Sequence, residues 1–154
     1  MSDQRVSARI PASALSLGLM GLVPFAAGAL SLWVPLPFLN AETGLKLVVV
    51  YGAIILSFLG GIRWGTAIGP YDAHRQGREF STSVLGALAG LAAVFLPAIP
   101  GLTLLIAGFL MQGLWDVTSA DAGRLPAWFG RLRMILTAGA VVSLVAALGA
   151  LLLT

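Results

Sequence analysis

The chain has 154 residues, 58% of them hydrophobic and only 10% charged, where a soluble domain carries about 25% charged residues. A larger core does not explain the shortfall, because small domains have proportionally more surface to cover with polar groups, so lipid is the solvent facing most of this chain. The net charge of +3 rests on basic residues scattered between apolar segments, which leaves no basic stripe for a nucleic-acid partner, and with no cysteine and a single histidine disulfides, thiolate catalysis and a multi-histidine metal site within one chain are excluded.

Hydropathy and length predict an all-α integral membrane bundle of five transmembrane helices, one membrane domain over 1–154. The first span covers about 11–33. Pro11 suits a first helical turn, and Pro24 should kink the middle. Arg5 and Arg9 precede this run as they would in a signal peptide, but the run exceeds the h-region of about 7–15 residues, so it is read as a retained span. The second span covers about 45–68. Lys46 and Arg63 are seventeen residues apart, about 25 Å of helix. They bracket the hydrocarbon slab, with Trp64 in the interfacial belt beside Arg63.

The third span covers about 83–96 and the fourth about 101–115, joined by the tight turn PAIPG. Both are short for a ~30 Å core and call for an extra turn at their free ends or a locally thin bilayer. The fifth span covers about 132–153. With the N-terminus cytoplasmic, segments 1–10, 63–81 and 116–133 hold eight of the nine basic residues and the opposite side only Lys46. This bias predicts a cytoplasmic N-terminus and a C-terminus on the opposite side.

Two sets of residues stand out. Gly61 and Gly65, and Gly86 and Gly90, form small-xxx-small pairs that let a neighbouring helix come close; Ala14 and Gly18 repeat the spacing more weakly. Arg63, Trp64, Gln112, Asp116 and Arg131 are expected at one cytoplasmic-side level, where Gln112 lies one turn from Asp116 and a buried amide must find a partner. Such a cluster fits either a structural ion-pair network or a headgroup or small-anion site. Tyr71, Asp72 and His74 adjoin it in sequence, and a metal there would need further ligands. No span carries an ionisable residue at its middle, where coupled transporters place them, and the chain has no P-loop, HExxH or GxSxG motif. No cofactor is expected.

The segments LGLMGLVPF (17–25), YGAIILSFLGGIRWG (51–65) and PAWFGRLRMILT (126–137) together resemble the domain-of-unknown-function family 3429. That family includes bacterial inner-membrane proteins and the mitochondrial transmembrane protein 69. The resemblance runs in order from about residue 15 to 150, and its second motif is the specific one. It implies a small multi-pass protein of the bacterial inner (cytoplasmic) membrane and brings no established activity.

From these readings the chain is expected to be a non-enzymatic accessory or assembly partner of a larger membrane complex. Its partners would be membrane lipids, other membrane subunits or further copies of itself. One alternative is a small-solute or lipid transporter acting as an oligomer, with Tyr51, Ser57 and Gln112 along its path. The other is an enzyme acting on lipid headgroups through Asp72, His74, Asp116 or Asp121.

Overall fold

A computed structural model describes residues 9–69 and 73–153, with backbone alone for 73–75. Helices α1 (Ala12–Met20) and α2 (Val23–Leu30) form one interrupted apolar segment. The break falls at Gly21 and Leu22, and Pro24 occupies the first turn of α2. Proline removes the N–H that would close on Met20 and crowds that carbonyl, so the chain breaks in the turn before it and restarts where a missing N–H is harmless. At this break the Tyr51 hydroxyl on the next helix donates to the Gly21 carbonyl at 3.0 Å.

Helix α3 (Ala41–Ala67) starts four residues earlier than the predicted second span. Asn40 caps it by accepting from the Thr43 N–H at 2.8 Å. Glu42, in the first turn, pairs with Lys46 at 2.7 Å, on the side of the helix dipole that favours an acid.

The region between the second and third predicted spans contains a helix. Helix α4 (Ala73–Ser83) runs into α5 (Leu85–Phe95) with a single non-helical residue, Val84, between them. Together they lie antiparallel along α3. The Gln76 amide donates to the Ala67 carbonyl at 2.9 Å, the Phe80 ring packs tilted against Trp64 with ring centroids 4.8 Å apart, and Ser83, Gly86 and Gly90 then meet Gly60, Leu56 and Ala53. Helix α5 alone is about 16 Å long, whereas α4 and α5 together reach about 34 Å.

Helix α6 (Ala98–Asp121) exceeds the predicted fourth span at both ends, and α7 (Ala127–Leu153) begins five residues before the predicted fifth. Asp116 is the charge just past the predicted fourth span, and Arg133 is the second residue of the predicted fifth. They pair with each other, and the helices continue past them. The α6–α7 turn is a Schellman closure: Arg124 N–H bonds to the Ser119 carbonyl at 2.9 Å, Gly123 N–H bonds to Ala120 at 3.0 Å, and Gly123 has φ +71°. That left-handed conformation is where glycine is favoured.

Among the described residues, four helical segments are long and apolar enough to cross a membrane: Ala12–Leu30, Ala41–Ala67, Ala98–Asp121 and Ala127–Leu153. The α4–α5 pair falls outside this group because its first half is polar. Segments consecutive in the chain alternate in direction, while α3 runs parallel to α6 and α1–α2 parallel to α7, the latter with Gly18 against Leu136, Leu22 against Gly139 and the Trp33 indole donating to the Ala146 carbonyl at 3.0 Å. The core is centred on Phe25, whose ring meets Tyr51 and Phe109 edge-on at 5.1 and 5.6 Å, with Leu56, Leu102, Leu105 and Leu144 around it.

Candidate functional site

The polar cluster assembles where α6 and α7 approach each other and the last turns of α3. Asp116 is fully buried. Its Oδ2 accepts from Arg133 Nε at 2.6 Å, and its Oδ1 accepts from the Gln112 amide at 3.3 Å. Gln112 also donates to the Leu59 carbonyl of α3 at 3.3 Å, so one amide ties three elements together. The spacing explains the local geometry, because Gln112 and Asp116 lie four apart on one face of α6.

Arg63 arrives from α3. Its guanidinium lies over the Trp115 ring, 4.2 Å from the centroid, an electrostatically favourable seat for a cation. Glu79 and Asp116 both act on it electrostatically. Trp64, the next residue, faces outward onto Phe80 and stays half exposed. A buried ion pair stabilises little relative to apolar packing, yet removing one partner leaves an uncompensated charge. The cluster therefore fixes how α3, α6 and α7 register more than it adds net stability.

Arg131 is a correction. It is exposed on α7, and Arg133 is the arginine that meets Asp116. Two residues further along a helix is a rotation of about 200°, so once α7 starts at Ala127 the two arginines face opposite sides. Spacing from Asp116 alone could not choose between them; the small Gly130 packed against Ala120 was the available signal for which side of α7 meets α6. Gly61 and Gly65 are a second correction, because a side chain at either would meet nothing within 4 Å. Gly60 makes the close approach instead, at the Ser83 carbonyl. Gly86 and Gly90 do face α3, where an added Cβ would lie 2.8 Å from the Leu56 and Ala53 carbonyls. Tyr71, Asp72 and the His74 side chain lie outside the described residues.

Sequence reasoning missed a cavity of about 390 Å³ between α1, α2, α3, α6 and α7. Phe25, Tyr51, Phe109 and Phe129 contribute to its largely apolar wall, and Arg133 and Thr137 are among its polar lining. Arg133 Nη2 and Thr137 Oγ1 are buried without a hydrogen-bond partner in the protein. No hydropathy pattern announces a void of this kind. It arises because α1, which has no buried residue, rests on α7 through side chains.

A family model described as protein of unknown function (DUF3429) matches residues 10–149. Transmembrane protein 69 of Xenopus tropicalis is 40% identical over 149 residues, covering 90% of this chain and 54% of the relative. The chain thus spans about half the length of this curated relative. No solved structure matches it.

Proposed function

Since the chain belongs to the DUF3429 family of membrane proteins, we propose that it is a five-span protein of the bacterial inner membrane that works without catalysis, as an accessory or assembly partner binding other membrane helices. In this reading α4–α5 supplies the third crossing, and the alternating helix directions with α1–α2 parallel to α7 agree with termini on opposite sides. The arginine bias supports an N-terminus in the cytoplasm.

The observation that carries the proposal is the outward face of α3. Val50, Ile54, Ser57, Gly61, Gly65 and Ile68 follow one another at helical spacing and are all exposed. The glycine half of that stripe has open space above it. In lipid there is no hydrophobic force between helices, and small residues favour association by letting backbones approach. The polar groups, in contrast, are engaged inside the bundle: Asp116 by Arg133, Gln112 by Leu59 and Asp116, and the Tyr51 hydroxyl by Gly21. Ser57 lies on the outer face, and Asp121 is exposed while Asp116 is buried. These placements favour a contact protein over a polar transport path or a convergent acid–base site.

Gly65→Leu tests the proposal. The full chain, expressed at native level and extracted in mild detergent, should co-purify with a second membrane chain or with itself, and Gly65→Leu should reduce that recovery about tenfold while unfolding stays unchanged. A wild-type chain that runs alone in detergent and in nanodiscs at several expression levels would refute it.

A further inference from the structure

The cavity is a slot lying along the helices. Its lining runs from Phe129 to Ala140 on α7 and from Tyr51 to Ile62 on α3, in each case about 16 Å of helix rise. Its near end lies beside the α6–α7 turn, and its far end meets the Phe25, Tyr51 and Phe109 rings at the centre of the core. Half of a ~30 Å hydrocarbon core is about 15 Å, so the slot has the depth of a single leaflet.

The polar groups of the lining are spent elsewhere. The Arg133 guanidinium is engaged by Asp116, the Thr137 hydroxyl lies against Gly113 of α6, and the Tyr51 hydroxyl donates to the Gly21 carbonyl. What faces the space is carbon. A cavity walled in this way stays dry, and left empty it denies its lining the dispersion contacts of a packed interior. At about 390 Å³ it has the size of a site for a small ligand. Access fixes the source of that ligand. Leu17 on α1 and Phe58 on α3 both line the cavity, and both are about 70% exposed on the outside of the bundle. The opening between them faces the surroundings of the apolar helices, the lipid itself. On this side the wall is α1, which has no buried residue and meets α7 through Gly18 on the tip of Leu136.

We propose that the slot holds one acyl chain of a phospholipid, drawn from the leaflet at the level of the α6–α7 turn and independent of the accessory role. The chain enters sideways between α1 and α3 and lies along Leu136, with its methyl end toward Phe25 and Phe109. Its headgroup stays at the membrane surface. Unlike a tail sliding over the outer faces, this one is a resident of the bundle and stays with it when the bilayer is removed.

The test is photolabelling with a phosphatidylcholine that carries a diazirine on one palmitoyl chain. The full chain is loaded with this lipid in nanodiscs, transferred into excess mild detergent, then irradiated and mapped by peptide mass spectrometry. Label on the lining residues Gly18, Leu136 and Ala140 should survive the transfer, while label on the exposed Leu152 and Leu153 disappears. Leu136→Trp, which fills the slot, and Ala14→Phe, which fills its near end, should each lower the surviving label about tenfold, since a packed interior has no room for a second occupant. Val142→Trp, on the exposed face of α7, should leave it unchanged. Should Leu136→Trp fail to fold, Ala14→Phe decides alone, because α1 buries nothing. Label lost from lining and outer residues alike on transfer overturns the proposal. So does surviving label that Ala14→Phe leaves intact or that Val142→Trp lowers as far.

Discussion

Where α3 meets α4–α5, backbone touches backbone: Gly60, Gly86 and Gly90 each face a main-chain carbonyl of the opposite helix. Where α1–α2 meets α7, glycines again face the partner, but Gly18 meets the tip of Leu136 and Gly139 meets the tip of Leu22. The first seam is drawn tight and carries the small-residue packing typical of membrane helices. The second is propped open by leucine side chains, and the cavity lies beside it. The same residue type thus produces a closed seam or a spaced one according to whether a backbone or a side chain sits opposite.

The largest expected effect lies between these seams, at the ion pair that anchors α7 against α6 on the cavity's edge. Asp116→Asn leaves the buried Arg133 cation uncompensated and should destabilise the protein by about 3–5 kcal/mol, measured by denaturant-titrated unfolding in mixed micelles. The double variant Asp116→Leu with Arg133→Met should recover most of that loss, since burying two apolar side chains removes the charge problem altogether. A double variant as unstable as the single one would mean that the pair holds the seam by more than neutralising itself.

Next in size is the tight seam. An added Cβ at Gly90 would lie 2.8 Å from the Ala53 carbonyl and 3.0 Å from its Cα, and neither atom can move without moving α3. Gly90→Val should therefore cost about 1–3 kcal/mol by overpacking, read by the same unfolding assay. Gly18→Ala at the propped seam should cost far less, because the Leu136 side chain opposite can turn away. Equal losses at the two positions would erase the contrast between the seams.

The contrast also separates what was legible in the sequence from what was not. Apolar runs located the first, second and fifth helices, because a lipid-facing helix announces itself by composition alone. Helix α4 went unseen because Ala73–Ser83 is polar, and its helical state comes from lying along α3 through Gln76, Phe80 and Ser83. The ends of α6 and α7 were read short for a related reason. A charge looks like a boundary until its surroundings are known: Asp116, just past the predicted fourth span, is buried against Arg133, and Arg131, just before the predicted fifth, lies on the exposed side of a helix that starts at Ala127. Arg63, Gln112 and Asp116 were identifiable as one polar level, since depth follows from counting residues. The face of a helix that each residue occupies depends on tertiary contacts. That dependence put Arg131 outside and Arg133 inside, and it turned the Gly61–Gly65 pair away from the bundle.

The smallest effect distinguishes adjacent residues. Gly60 abuts the Ser83 carbonyl, so that an added methyl has nowhere to go, whereas one at Gly61 meets nothing within 4 Å. Both lie in the interior of α3, where replacing glycine by alanine removes a backbone-entropy penalty of about 0.5–1 kcal/mol. Gly61→Ala should keep that gain and unfold at slightly higher denaturant. Gly60→Ala should lose it to the clash and unfold at lower denaturant. Opposite signs from neighbouring positions, in one helix and one assay, would show that the close approach belongs to α4–α5 and that the Gly61 side of α3 is open. If Gly61→Ala also destabilises the isolated protein, that side is already occupied within the bundle, and the surface available to a partner lies elsewhere.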